Sequence, residues 1–393
     1  MSKSTTERNG HDRQQRMLCR DGEIEIVTDA EVWSSLAETY DIPTEEVGLI
    51  DFNRTGVSLP NGEVPVSFRV RFNGELLYPD GPPSWYALPV RLNGDTAFSV
   101  ADGELRFGDT TVVGSVGELF LDTCESSYQR GPHLLNLNSR SRSNCGGCRA
   151  CVHNYKNLYD STVLHDQEQL VTRADMERFF DEKQATGLDV TALQQIAVVT
   201  GLFGSEDAVI EHMQLLAETV RARGFSGELM YFGCEVNSDE GLDAFADIGH
   251  IALVYAVDNF TKRDRLLAKV KAGMSLADAK DTMQRAKDRG IETTFAYIAG
   301  VDPIDDLVEG FELFKDAITR FPVVNIYQVQ TTSQVKVMEE GAKRLEYYVQ
   351  ARRAIEEVMA DTPLRPKRWE NYRPLWYRSF NGEELENNPY GDL

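Results

Sequence analysis

Half of the chain's six cysteines fall within the seven residues Cys145-Gly146-Gly147-Cys148-Arg149-Ala150-Cys151. Three thiols this close cannot all pair with one another, and thiolates at such spacing converge on one soft centre, a zinc ion or an iron–sulfur cluster. Gly146 and Gly147 give the loop backbone freedom to wrap a bulky ligand. The apolar run His133-Leu134-Leu135-Asn136-Leu137-Asn138-Ser139 leads into it and reads as a short strand. A metal loop leaving the end of a strand suggests an enzyme site rather than a structural knuckle. On the residues alone, three ligand sets stay open. His153 is a fourth ligand for a structural zinc, although four ligands in nine residues are cramped beside the usual two-pair arrangement. A C-x2-C-x2-C run also opens ferredoxin-type electron-transfer sites, but those continue to a fourth cysteine followed by proline. Here the chain continues Val152-His153-Asn154-Tyr155, and a distant Cys124 or Cys234 would have to complete the set. The third set is a cluster with three cysteine ligands and one iron left open to a substrate or cofactor.

The elements that must position this loop begin at Arg130-Gly131-Pro132, where short apolar runs start to alternate with amphipathic helices, the signature of βα units and a parallel sheet. The strand candidates are Leu134 to Asn138, Ile196 to Thr200, Leu229 to Gly233, His250 to Ala256, Thr293 to Ile298 and Val323 to Gln330. Between them, Ser205 caps a helix with the stripe Val209, Met213, Leu216 and Val220, which stops at Gly224. Ser275 with Asp278 reads as a capping box for a helix that stops at Gly290. Asp302 and Pro303 read as cap and first position of a helix carrying Leu307, Phe311, Phe314 and Ile318. Six such units predict a partial (β/α)6 TIM-like barrel, an α/β fold with function at the C-terminal ends of its strands. The cysteine loop leaves the first strand at that end.

At 393 residues the chain exceeds a single usual core, so flanking units are expected. Residues 1–16 read as a disordered tail and 17–125 as a β-rich accessory domain, with a short helix after Thr28 or Asp29. Val64 to Phe72 run into an Asn73-Gly74 hairpin signal, and Asn93-Gly94 and Gly108-Asp109 punctuate further strands. The barrel is assigned to 126–335. Residues 336–393 are assigned to a long helix, with Leu345, Tyr348, Val349, Arg352, Ile355 and Met359 on one face, and to a tail bearing Arg368, Trp369, Tyr372, Arg373, Trp376, Tyr377 and Arg378. That tail reads as a lid, a packing element across the barrel bottom or a dimer contact; the oligomeric state is left open. No apolar run reaches the ~18 to 20 residues of a membrane span. The polar N-terminus does not read as a secretory signal, so the expected location is the cytoplasm, where thiols stay reduced and bind metals. A formal charge of −22 argues against nucleic acid or anionic membrane as partner.

A three-cysteine loop after the first strand of a βα barrel resembles the radical S-adenosylmethionine (radical SAM) enzymes. The resemblance covers about 132–335 and departs from the family in spacing, since the usual loop is C-x3-C-x2-C. It implies that Cys145, Cys148 and Cys151 hold a [4Fe–4S] cluster whose open iron is chelated by S-adenosyl-L-methionine. Gly204 and Glu206, in Thr200-Gly201-Leu202-Phe203-Gly204-Ser205-Glu206-Asp207, are the nearest matches to the family's motif for the SAM amino group. Ile298 and Gly300 match the segment that packs on adenine, although Ala296 stands at its first glycine, and Tyr327 lies on the strand whose backbone meets the adenine edge. Asp258 and Asn259 end the fourth strand, where ribose hydroxyls would be touched. Lys262, with Arg263 and Arg265, lies where a SAM carboxylate or substrate anion would sit. The implied activity is reductive cleavage of SAM to a 5′-deoxyadenosyl radical that abstracts hydrogen from a small-molecule substrate, natural-product or amino-acid-derived, with a flavodoxin or ferredoxin-type reductant. No catalytic residue beyond these is assigned. The alternative is a non-catalytic iron–sulfur or zinc protein, an electron carrier or redox sensor.

Overall fold

The computed structural model describes residues 17–20, 23–26, 30–58, 67–72, 85–89, 96–108, 111–120, 127–130, 133–139, 147–151, 170–329 and 332–385. The expected tail at 1–16, together with Cys124, Arg140, Arg142, Cys145 and His153, lies outside them.

Strands β1 (Met17–Arg20) and β2 (Glu23–Ile26) form an antiparallel ribbon, followed by helices α1 (Ala30–Tyr40) and α2 (Thr44–Thr55). Next come β3 (Ser67–Phe72), β4 (Trp85–Pro89), β5 (Phe98–Ala101), β6 (Glu104–Phe107) and β7 (Thr111–Phe120), an antiparallel sheet in the order β4-β3-β7-β6-β5. Asp102 and Gly103 join β5 to β6 with φ of 56° and 77°, the paired positive angles of a tight hairpin turn. Two features differ from the sequence reading. The Asn73-Gly74 signal does not close a two-residue hairpin, because Arg71 pairs with Trp85 and leaves a long connection whose residues are outside those described. The β reading over this region also omits α2. That helix has no apolar stripe to detect, since Glu46, Asp51, Asn53, Arg54 and Thr55 are as fully buried as its Val47 and Ile50.

The parallel strands are β9 (Leu134–Leu137), β10 (Gln195–Val198), β11 (Glu228–Gly233), β12 (Ile251–Asp258), β13 (Glu292–Ala299) and β14 (Val323–Ile326). They pair in sequential order, with β8 (Tyr128–Arg130) antiparallel outside β9. The result is the expected half-barrel of six parallel strands. Alternation assigns the faces: Ile196, Val198, Leu229, Tyr231, Leu253, Phe295 and Val324 pack beneath the helices, while Ala197, Met230, Ala252, Val254, Ala296 and Val323 form a separate cluster on the other face. Three alanines there leave room for the sheet to curl. At the N-terminal end, Arg320 donates to Glu228 at 3.0 Å and to Glu370 at 2.6 Å, an ion cluster that closes that end of the sheet.

After α3 (Arg173–Ala185) the expected helix ends recur. Ser205 caps α4 (Glu206–Arg221), its hydroxyl accepting from Ala208 N–H, and Gly224 follows at φ 86°. After α5 (Asp239–Ile248) come the short α6 (Arg263–Leu266) and α7 (Lys269–Gly273); then Ser275 and Asp278 form a reciprocal capping box on α8 (Leu276–Asp288). The cap expected at Asp302 is absent. Pro303 itself precedes α9 (Ile304–Phe314), and the Asp302 carboxylate turns back to accept from Phe260 N–H (2.9 Å) and Thr261 N–H (2.8 Å), because two orphan amides after β12 compete for it. Beyond α10 (Thr332–Val335), α11 (Leu345–Met359) is the expected long helix. Its Arg352 is buried and bonds Glu46 of α2 and Glu356, so α2 and α11 share one charged core. The aromatic tail, which ends in the hairpin of β15 (Ser379–Phe380) and β16 (Glu383–Glu384), lies along the outer edge of β14. Ile326 N–H donates to the Arg373 carbonyl, and the Asn325 Oδ1 accepts from Tyr372 and Arg373 N–H. No described helix is long and apolar enough to cross a membrane.

Candidate functional site

Cys148 and Cys151 share one turn, closed by Cys151 N–H on the Cys148 carbonyl at 3.0 Å and entered through Gly147 at φ 71°. Only glycine adopts that angle without strain. The turn is fastened to the segment after β12. Arg149 N–H donates to the Leu266 carbonyl at 2.7 Å, and Ala268 N–H donates to Cys148 Sγ at 3.2 Å. Burial pushes the Cys148 thiol up to about 11; Lys271 opposes that shift, and Asp258 adds to it. Burial also pushes Cys234, 2% exposed at the end of β11, up to about 11, with Lys271 again opposing. Cys148, Cys234, Lys271 and Asp258 therefore form one electrostatic neighbourhood. Among the described residues no three His, Cys, Asp or Glu side chains are grouped to hold a metal, so a centre at this turn would need a ligand from outside them.

The loops after β10 and β11 stand on two carboxylates. Glu235 accepts from Phe203 N–H (3.0 Å), Gly204 N–H (2.7 Å) and the Tyr231 hydroxyl (3.0 Å). Glu206 accepts from Asn237 N–H (2.6 Å), Ser238 N–H (2.9 Å) and the Ser238 hydroxyl (2.6 Å). Burial disfavours Glu206's ionisation, but the Ser238 and Asn237 hydrogen bonds outweigh it and hold its carboxyl below the usual range. A Cβ on Gly241 would lie 2.3 Å from the Glu206 Oε1, so that glycine makes room for the carboxylate. Gly204 and Glu206 line a cavity of about 580 Å³ together with Cys234, Glu235, Val270 and Met274. That size suits a small-molecule ligand.

At the end of β12, Asp258 sits at φ 65°, outside the usual range for a residue with a side chain, and pairs with Lys271 Nζ at 2.6 Å. Asn259 is 2% exposed beside it. Lys262, expected near an anion, reaches the other way, to Glu339 (3.1 Å) and the Val301 carbonyl (3.3 Å). Arg263 is spent on the carbonyls of Val257, Asn259 and Lys271, and Arg265 is exposed. Ile298 is half-buried opposite Asn325. Gly300 has φ 124°, and a Cβ there would lie 2.8 Å from the Tyr348 hydroxyl and 2.9 Å from Tyr327 Cβ. Tyr327 packs on this glycine, and its N–H bonds the Ala299 carbonyl at 2.8 Å. The structure thus gathers the cysteine turn, Gly204, Glu206, Asp258 and Asn259 on one side of the strand ends, and Lys262, Ile298, Gly300 and Tyr327 on the other.

Several buried polar atoms at these strand ends make no hydrogen bond among the described residues: Thr200 Oγ1, Asn259 Oδ1, both amide atoms of Gln328 and the Tyr348 hydroxyl. Unsatisfied buried groups cost about 1–3 kcal/mol each and are tolerated where a polar ligand engages them. Sequence reasoning missed Lys271. Lys271 sits in a five-residue helix without periodicity, so only its fold-dependent approach to Asp258 marks it.

No family model matches the sequence, and no curated protein matches it. Solved structures resemble it in part. Streptococcus suis SuiB bound to S-adenosylmethionine is 11% identical at a TM-score of 0.37, over 53% of this chain and 43% of that one. HydG, a maturase of the [FeFe]-hydrogenase, is 11% identical at 0.39, over 57% and 49%. The radical S-adenosylmethionine methyltransferase TsrM from Kitasatospora setae, with cobalamin and a [4Fe–4S] cluster bound, is 12% identical at 0.33, over 48% and 36%. The chain spans less than half the length of each of these proteins.

Proposed function

We propose that this chain is a radical SAM enzyme acting on a small molecule, with Cys145, Cys148 and Cys151 as ligands of a [4Fe–4S] cluster and S-adenosyl-L-methionine bound across the strand ends. One observation carries the reading. The Cys148–Cys151 turn follows the first of six sequential parallel strands and is fastened to the loop after the fourth, beside a cavity of about 580 Å³. The donor set fits such a cluster: two soft thiols on one turn, with the Lys271 ammonium near enough to Cys148 to oppose the burial that disfavours its thiolate. The unpartnered atoms of Thr200, Asn259 and Gln328 fit a polar ligand at the same end of the sheet.

When bound, the reduced cluster would supply one electron to the SAM sulfonium, the chemistry that breaks a C–S bond to give methionine and a 5′-deoxyadenosyl radical able to take hydrogen from an unactivated carbon. This chain's residues bind and shield. Gly204 offers the close backbone approach for the SAM amino group, and Glu206 holds the Asn237–Ser238 loop against it. Asp258 and Asn259 serve the ribose hydroxyls, while Ile298, Gly300 and Tyr327 form the adenine wall. Lys262, its charge paired with Glu339, ties the loop after β12 to the end of β13 through the Val301 carbonyl. The segment 263–274, tied down by Arg263, covers the cysteine turn and limits water, which a carbon radical requires.

The test is anaerobic reconstitution with iron and sulfide, then dithionite and SAM, with an assay for 5′-deoxyadenosine. The expected result is about four irons per chain, a spectral change on adding SAM, and its cleavage. A fully loaded protein that neither cleaves SAM nor responds to it spectrally would leave the electron carrier or sensor; zinc in anaerobically purified protein would leave the structural site.

A further inference from the structure

A half-buried positive charge beside the cysteine turn, Lys271, has no part in the binding roles above. Lys271 lies three residues beyond Ala268, whose N–H donates to Cys148 Sγ at 3.2 Å. Its side chain is 18% exposed, and its ammonium pairs with Asp258 at 2.6 Å. Two further contacts fix its place: the Arg263 guanidinium holds the Lys271 carbonyl at 2.8 Å, and α7 on either side of it borders the cavity through Val270 and Gly273. The charged groups acting on Cys148 are Lys271 and Asp258, Glu235 and Arg263 lie beside the neighbouring Cys234, and Arg149 is exposed on the turn itself.

We propose that Lys271 is a positioning residue that sets the reduction potential of the cluster held by the cysteine turn, raising it by the charge it presents and by carrying the strap whose Ala268 N–H bonds Cys148. This rests on the cluster reading above. On reduction the cluster takes one electron and becomes one unit more negative, so a nearby ammonium stabilises the reduced form more than the oxidised one. Net charge and hydrogen bonds to sulfur are the two levers by which a protein tunes such a potential. Asp258 acts with the opposite sign. It also keeps the ammonium aimed at the turn, so the pair is a matched device and not a surface ion pair.

An EPR-monitored redox titration with dithionite on SAM-free reconstituted protein tests this. Lys271→Met is expected to make reduction about tenfold less favourable, about 59 mV more negative for a one-electron couple. Lys271→Arg should stay near the wild type, and Asp258→Asn should shift the potential positive. Fully loaded Lys271→Met with an unchanged potential overturns the proposal. If Lys271→Met does not load iron, the sign of the Asp258→Asn shift decides, and no shift or a negative one overturns it. Wild-type protein that holds no cluster is the separate failure of the cluster reading itself.

Discussion

Cys148 and Cys151 are bound to each other's backbone by one turn, so removing one thiol leaves the other correctly placed but without a partner. Cys148→Ala is expected to retain the wild-type far-UV spectrum and to lose iron loading, measured by iron and sulfide content after reconstitution; four irons per chain in this variant would exclude Cys148 as a ligand. Glu206 gives a pH prediction. Its carboxyl is held below the ordinary value of about 4.3 by Ser238 and Asn237. A depressed folded pKa stabilises the fold above the unfolded value, and that contribution is lost as pH falls through the folded value. Glu206→Gln should therefore lower Tm at pH 7 and show a smaller further loss than wild type as pH drops below the ordinary carboxylate value, read by thermal melts across that range.

Whole elements depend on two contacts that no local pattern announces. Gly300 ends β13 at φ 124° against Tyr348 and Tyr327, so Gly300→Ala pays backbone strain of about 1–3 kcal/mol as well as a clash with the Tyr348 hydroxyl. A lower urea midpoint and weaker SAM binding by calorimetry are the expected outcome. Arg352 of α11 holds Glu46 of α2, Glu356 and the Ser379 carbonyl (2.9 Å), all in the interior. Arg352→Met would take the ion partner from the buried Glu46 and one of two from Glu356, which keeps Arg353 at 2.7 Å, a loss of about 3–5 kcal/mol. Chemical denaturation checks the loss, and adding Glu46→Gln and Glu356→Gln should recover part of it.

On the scale of the molecule, β14 is the edge of the parallel sheet, and the tail covers it. Asn371 Oδ1 accepts from Val324 N–H at 2.8 Å, Ile326 N–H bonds Arg373, and Trp376 packs edge-on against Phe321 at 5.1 Å. Truncation after Pro366 should expose that edge and produce strand-mediated association, seen as early-eluting species in size-exclusion chromatography. The tail's mixed Arg and aromatic composition left lid, barrel bottom and dimer contact open, because composition does not say which backbone the segment will meet.

The half-barrel is legible in the chain alone: six apolar runs, with caps at Ser205 and Ser275 and stops at Gly224 and Gly290, are local signals, and local signals survive without tertiary context. The cysteine loop is legible in the same way, since thiol spacing is a property of the chain. Only the tertiary structure decided what stands beside that loop. Lys271 and Asp258 are thirteen residues apart, and Cys148 is bonded to an amide 120 positions away. The same holds for α2, whose buried Glu46, Asp51 and Arg54 erase its stripe, and for Lys262 and Arg263, whose charges are taken up by Glu339 and by backbone carbonyls. Periodicity reports which face of an element is buried against apolar neighbours. It carries no record of a charge whose partner arrives from another element.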